Sequence, residues 1–193
     1  TGQLSVGGKI VIVAKNAEYA LSTEQKSNNR GQAAVTKDAT NNTVAFGDDV
    51  QVITLEAGAI AGTYVFNVGE AGYLYAPGGS NYLRTSTTLS DSSYWTITIA
   101  DGVATVKSKC SGAQNWMRYN TASGLFSCYS SGQQDVAIYK IVTITEEPDV
   151  PACQHPNTTL TGVKEATCIT NGYTGDTYCP DCEKTIVTGT AIP

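Results

Sequence analysis

Short runs of alternating apolar and polar residues, separated by Gly, Asn, Asp and Ser clusters, fill the chain as far as residue 145. A period of two is the mark of a half-buried strand. The clearest runs are 9–14 (Lys-Ile-Val-Ile-Val-Ala), 50–55 (Val-Gln-Val-Ile-Thr-Leu) and 63–68 (Thr-Tyr-Val-Phe-Asn-Val). Further on come 95–99 (Trp-Thr-Ile-Thr-Ile), 103–107 (Val-Ala-Thr-Val-Lys) and 136–144 (Val-Ala-Ile-Tyr-Lys-Ile-Val-Thr-Ile). No segment carries a sustained helical stripe, and 17–25 is ambiguous. The pattern predicts an all-β domain over 1–145. It breaks at 146–152 (Glu-Glu-Pro-Asp-Val-Pro-Ala), where two Pro and three acids cannot build a ladder and read as a linker. Residues 153–193 then form a small module with four of the six Cys and the only His.

The three Arg of the chain, Arg30, Arg84 and Arg118, each follow an Asn closely and lie in turn-rich stretches. Each is followed by a polar turn and a strong strand: 48–53, 91–97 and 134–138. Three β units of roughly 35 to 50 residues predict a threefold closed architecture. One unit alone cannot bury its apolar face, whereas three together can, and closure removes exposed sheet edges.

These repeats resemble the β-trefoil, the fold of ricin-B-type lectins. Two stretches, 27–35 (Ser-Asn-Asn-Arg-Gly-Gln-Ala-Ala-Val) and 115–136, look like a β-domain appended to secreted multidomain proteins of gut bacteria, including nucleases and glycan-active proteins. The resemblance covers about residues 8 to 142. It implies a carbohydrate-binding module among other domains of a larger parent protein. The chain lacks the full Gln-x-Trp triplet of the ricin lectins, since only Trp95 stands at a Trp-like position, so the sugar sites of that family do not carry across residue by residue. A β-sandwich is the structural alternative.

Composition narrows the function. Of 193 residues, 41% are hydrophobic and only 15% charged, below the roughly 25% usual for soluble domains. Uncharged polar side chains and 19 Gly must supply the surface, as in secreted β-rich modules. The net charge of -5 and pI near 4.8 exclude a phosphate-backbone binder, so no nucleic-acid partner is expected. No apolar run approaches the ~18 residues of a membrane helix, and no membrane insertion is expected. The opening Thr-Gly-Gln-Leu has neither a start Met nor a basic leader and reads as part of a longer protein, secreted or at the cell surface. The single His155 leaves no Ser-His-Asp or Cys-His set upstream of it. Carboxylates such as Asp48, Asp49, Glu56 and Glu70 form no recognisable pair, so an enzyme is not expected.

Glycan modules place an aromatic ring against the apolar side of a sugar and fix hydroxyls with short polar side chains. Eleven Tyr and two Trp against three Phe fit that use, because Tyr and Trp tolerate partial exposure. The densest set is Trp116, Tyr119 and Asn120 with Tyr129 and 133–135; Asn81 and Tyr82, with Tyr73 and Tyr75, form its counterpart in the second repeat. Trp95, which leads an apolar strand, is expected in the core. The three Arg are expected to clamp turn carbonyls or Asp49, Asp91 and Asp135, since the guanidinium fork satisfies several acceptors at once. A spacer or adhesion domain without a small ligand is the alternative function.

The tail carries the sharpest motif: Cys153-x-His155, then Cys168, then Cys179-Pro-Asp-Cys182. A Cys-x-x-Cys knuckle brings two thiolates to one tetrahedral ion, and Cys153 with His155 would complete a closed Cys3His zinc site. A segment of about 40 residues needs such a staple. Residues 166–182 also look like repeats near the ends of surface proteins of gut Firmicutes, which implies a structural module. Two disulfides are the alternative, with three possible pairings, and Cys168 leaves the ligand count open. In the β domain Cys110 and Cys128 flank 115–126 and are expected to bridge, closing that loop; the alternative is that Cys128 is a buried free thiol, since its run Leu-Phe-Ser-Cys-Tyr is apolar at alternate positions.

Overall fold

A computed structural model describes residues 4–142 and 153–193; the expected linker lies outside them. The chain divides into two compact units, Thr1–Val142 and Thr143–Pro193. Among the described residues the first unit has thirteen strands. The first repeat supplies β1 (Lys9–Ala14), β2 (Tyr19–Lys26), β3 (Asn29–Asp38), β4 (Thr43–Phe46) and β5 (Ile53–Ala57). The second supplies β6 (Tyr64–Asn67), β7 (Tyr73–Tyr75), β8 (Arg84–Ser86) and β9 (Tyr94–Ala100). The third supplies β10 (Val103–Ser108), β11 (Trp116–Asn120), β12 (Leu125–Tyr129) and β13 (Val136–Lys140). The ambiguous stretch 17–25 is thus mostly strand, with a register shift between Leu21 and Gln25.

The pairings close a barrel. β1 pairs β5, β5 pairs β6, β6 pairs β9, β9 pairs β10, β10 pairs β13, and β13 returns to β1. Each repeat therefore gives its first and last strands to a six-stranded barrel. The strands between them form hairpins: β2–β3, β7–β8 and β11–β12. A six-stranded barrel capped by three hairpins, in three four-strand repeats, is the β-trefoil. Closure of the barrel excludes the β-sandwich.

The core is filled from all three repeats. Ile10, Ile12, Ile53, Leu55, Phe66, Trp95, Ala104, Val106 and Val136 line the barrel. Leu21, Leu74 and Met117, one from the second strand of each repeat, are each fully buried beneath the hairpins. Trp95 is in the core as expected: its ring stacks on Phe66 at 5.2 Å and its Nε1 donates to Leu74 O at 3.0 Å. The first repeat departs from threefold symmetry. Its long β3 pairs an extra strand, β4, and a second cluster of Val11, Val13, Ala20, Ala33, Val35 and Val50 forms there. Strand β1 is consequently buried at every position after Lys9.

The hairpins meet at a polar hub. Ser127 Oγ donates to Asn81 O at 2.6 Å and lies 2.5 Å from the Asn29 amide, while Leu83 N donates to Asn28 O at 2.9 Å. Gly78 and Gly112 bring loops of the second and third repeats together. Gly78 has φ +81, and a Cβ on Gly112 would lie 2.1 Å from Gly78 O. Neither position accepts a side chain.

The second unit contains β14 (Thr159–Thr161), β15 (Gly172–Tyr173), β16 (Asp176–Cys179), β17 (Lys184–Val187) and β18 (Ala191–Ile192). Its two sheets have the orders β14-β16-β17 and β15-β18. Most of its side chains are exposed, including Leu160, Val163 and Ile169. So small an apolar interior cannot by itself offset chain entropy.

Candidate functional site

Strand β11 alternates as its sequence dictates. Met117 and Tyr119 turn into the core, while Trp116, Arg118 and Asn120 share the other face. Trp116 is half-buried and stands opposite Tyr129 of β12 and Lys107 of β10. The Arg118 guanidinium carbon lies 3.4 Å from the Trp116 ring centre, and Lys107 Nζ lies 4.9 Å from it. Arg118 Nη1 pairs with Asp135, whose side chain is 41% exposed. Asn120 Nδ2 donates to Tyr129 Oη at 3.0 Å.

Two members of the expected aromatic set are corrected by burial. Tyr119 is 1% exposed, packs on Phe126 at 4.9 Å and donates its hydroxyl to Gln32 Oε1 at 2.6 Å. Burial raises the Tyr119 hydroxyl above its ordinary value. Tyr129 is 8% exposed. A ring so covered cannot stack on a sugar; both hold the hairpin instead. Tyr82 is half-buried, and Asn81 is exposed but meets the third hairpin through its backbone carbonyl. Tyr19 was missed because its stretch showed no clear period. It is 36% exposed and stacks on Tyr119 at 6.1 Å.

The Arg expectation holds in part. Arg30 is 2% exposed; its Nε and Nη2 donate to Ser22 O at 3.2 and 2.9 Å, and Nη2 donates to Gln51 Oε1 at 2.5 Å. It clamps a carbonyl and an amide rather than Asp49. Arg118 takes Asp135 as expected, whereas Arg84 is exposed. The three are not equivalent: Arg30 and Arg84 open the third strands of their repeats, and Arg118 lies in the second strand of its own. Among the carboxylates, Glu56 accepts from Asn67 Nδ2 at 2.5 Å, a structural bond within the β5–β6 pair.

The expected Cys110–Cys128 bridge is absent. Both thiols are free and buried. Cys128 sits mid-strand opposite Met117, facing the core, while Cys110 Sγ turns to Gly112 O at 3.8 Å. Burial, with Cys110 adding, pushes the Cys128 thiol well above its usual value.

In the second unit Cys153, His155, Cys179 and Cys182 converge, with one donor atom of each within 4.8 Å of all the others. Cys153 Sγ lies 3.7 Å from Cys179 Sγ, and Cys182 Sγ 3.5 Å from His155 Nδ1. A tetrahedral zinc with Zn–S near 2.3 Å and Zn–N near 2.0 Å requires S···S of about 3.8 Å and S···N of about 3.5 Å. The cluster could hold a metal ion in that geometry. His155 and Glu183, both at φ 55, supply the left-handed turns that aim these ligands. Cys179 is pulled down to about 7, first by the His155 ring and then by backbone N–H groups of the knuckle, so it offers a thiolate. Cys168 is exposed at a Thr167–Thr170 hairpin tip, outside the cluster, so four donors come together. All four tail thiols are free, which does not match the two-disulfide alternative.

No family model and no curated protein matches the sequence. Solved structures do match the fold. A GlcNAcα1-4Gal-releasing endo-β-galactosidase from Clostridium perfringens aligns at TM-score 0.52 and 12% identity, over 70% of this chain and 33% of its own. The Polyporus squamosus lectin, bound to Neu5Acα2-6Galβ1-4GlcNAc, aligns at 0.51 and 18%, over 72% of this chain and 50% of its own. Cry35Ab1 aligns at 0.52 and 14%, over 89% of this chain and 46% of its own. The chain thus spans a third to a half of these proteins, and the likeness is one of fold.

Proposed function

We propose that the trefoil unit is a non-catalytic carbohydrate-binding module of a secreted or cell-surface bacterial protein, attached to other domains of a larger parent. The observation that carries this reading is Trp116: a half-buried indole on the outer face of the third hairpin, with Arg118 against its ring and Asn120 and Asp135 on the same flank. A flat ring edged by an amide and a carboxylate is the chemistry that recognises a sugar's apolar side and its hydroxyls. The fold neighbours agree in kind, since one is a lectin carrying a sialylated trisaccharide and another a galactosidase. Burial of Tyr119 and Tyr129 favours the second reading, a spacer without a small ligand, because it thins the aromatic surface. A glycan array probed with the whole chain separates the two. Saturable binding to a defined glycan class supports the module, and a blank array leaves the spacer.

The tail complements this as a structural staple. We propose that Cys153, His155, Cys179 and Cys182 hold one zinc ion. With four protein ligands the site has no open position, so its role is to order the module rather than to activate water. Metal analysis of protein purified without added zinc tests it; less than about half an equivalent per chain would overturn it.

A further inference from the structure

The flank of Trp116 is uneven in charge. Lys107 is exposed, its ammonium 4.9 Å from the ring centre, and it has no carboxylate within ion-pair distance among the described residues. Arg118, on the same ring, spends its charge on Asp135. Two cations and one carboxylate leave one positive charge, on a chain whose net charge is -5. The hydrogen-bonding groups are uneven in the same sense. Trp116 Nε1 and Arg118 Nε are buried donors without an acceptor, and Arg118 as a residue is 8% exposed. Native folds rarely leave such donors unmatched. The uncompensated charge on the exposed Lys107 favours an anionic ligand.

We propose that the Lys107–Trp116–Arg118 face binds an acidic saccharide, its carboxylate or sulfate against the exposed Lys107 ammonium and its ring against the indole edge. This rests on the carbohydrate-binding reading and adds the class of glycan. The acidic chain as a whole repels polyanions, so binding of this kind must be local rather than diffuse. It should weaken with salt, because Lys107 is exposed.

The test titrates the whole chain with polygalacturonate (carboxylate only), chondroitin sulfate (carboxylate and sulfate) and neutral galactan, following tryptophan emission and heat at low and high salt. The expected result is binding of at least one acidic polymer in preference to galactan. Lys107→Met, which keeps the aliphatic stem, should weaken it by about fivefold, the upper end for an exposed ion pair. Preference for polygalacturonate assigns a carboxylate, and binding of chondroitin sulfate alone assigns a sulfate. Equal or better binding of galactan overturns the acidic preference and leaves the glycan module standing. Acidic binding unchanged by Lys107→Met overturns the assignment to this face. No binding of any glycan, here or on the array, removes both readings.

Discussion

Trp95→Phe tests the way the barrel and the hairpins are joined. Trp95 is fully buried, stacked on Phe66, and its indole N–H reaches across to Leu74 O in the second hairpin. Phe keeps the stacked ring but removes that donor and part of the volume. The smaller ring buries roughly 50 Å² less, a loss of about 1.2 kcal/mol at ~25 cal/mol per Å². Loss of the indole donor to a buried carbonyl adds about 1–3 kcal/mol. The sum is about 3 kcal/mol, or roughly 10 °C in Tm for a unit of this size. Urea unfolding followed by near-ultraviolet circular dichroism measures it, with Trp116→Phe as the control. Trp116 is only half-buried and its flanking cation contacts are individually weak, so the control should lose less than about 1 kcal/mol. If Trp95→Phe costs no more than the control, Trp95 does not tie the barrel to the hairpin.

Other expectations follow from the same packing. Ser127→Ala removes the hydroxyl that joins Asn29 and Asn81 at the hub and should cost about 1–3 kcal/mol by urea unfolding, more than Ser123→Ala on an exposed turn. Cys182→Ser should abolish metal binding and broaden the tail's NMR resonances while the trefoil resonances stay in place. In native, metal-loaded protein only Cys168 should react promptly with a thiol reagent, and denaturant with a chelator should release all six thiols. Recovery of only four would mean that Cys110 and Cys128 are bridged. In the metal-free chain the Cys179 thiolate, lowered from 9 to about 7, contributes stability that grows as pH rises from 7 towards 9 and is lost as pH falls through 7, while the raised Cys182 thiol opposes it above pH 9. A tail whose order rises on acidification from 9 to 6 would contradict this.

The six runs picked out by alternation are β1, β5, β6, β9, β10 and β13, the barrel strands themselves. Barrel strands show one face to the core along most of their length, so period two survives in sequence. The hairpin strands were harder. β7 is Tyr-Leu-Tyr and β8 Arg-Thr-Ser, too short to show a period, and β2 loses its period at its register shift. The Arg residues indicated three repeats correctly, although Arg118 sits one strand earlier than its counterparts. Aromatic identity said nothing about facing: Trp116 and Tyr119 are three residues apart and fall on opposite faces of β11. The Cys153/His155/Cys179/Cys182 cluster was legible because the spacing of its members is local at both ends. The unmatched donors of Trp116 and Arg118 were not, since they depend on what packs above them.

The whole account of function turns on Trp116. The chain has two indoles, Trp95 buried in the core and Trp116 on the outer face, so a ¹⁵N–¹H spectrum holds two indole N–H signals. Titration with the glycan selected on the array should move the Trp116 indole signal and those of Lys107 and Asn120, and leave the Trp95 signal still. Shifts that map to another face, or a titration that moves neither indole, would contradict the account.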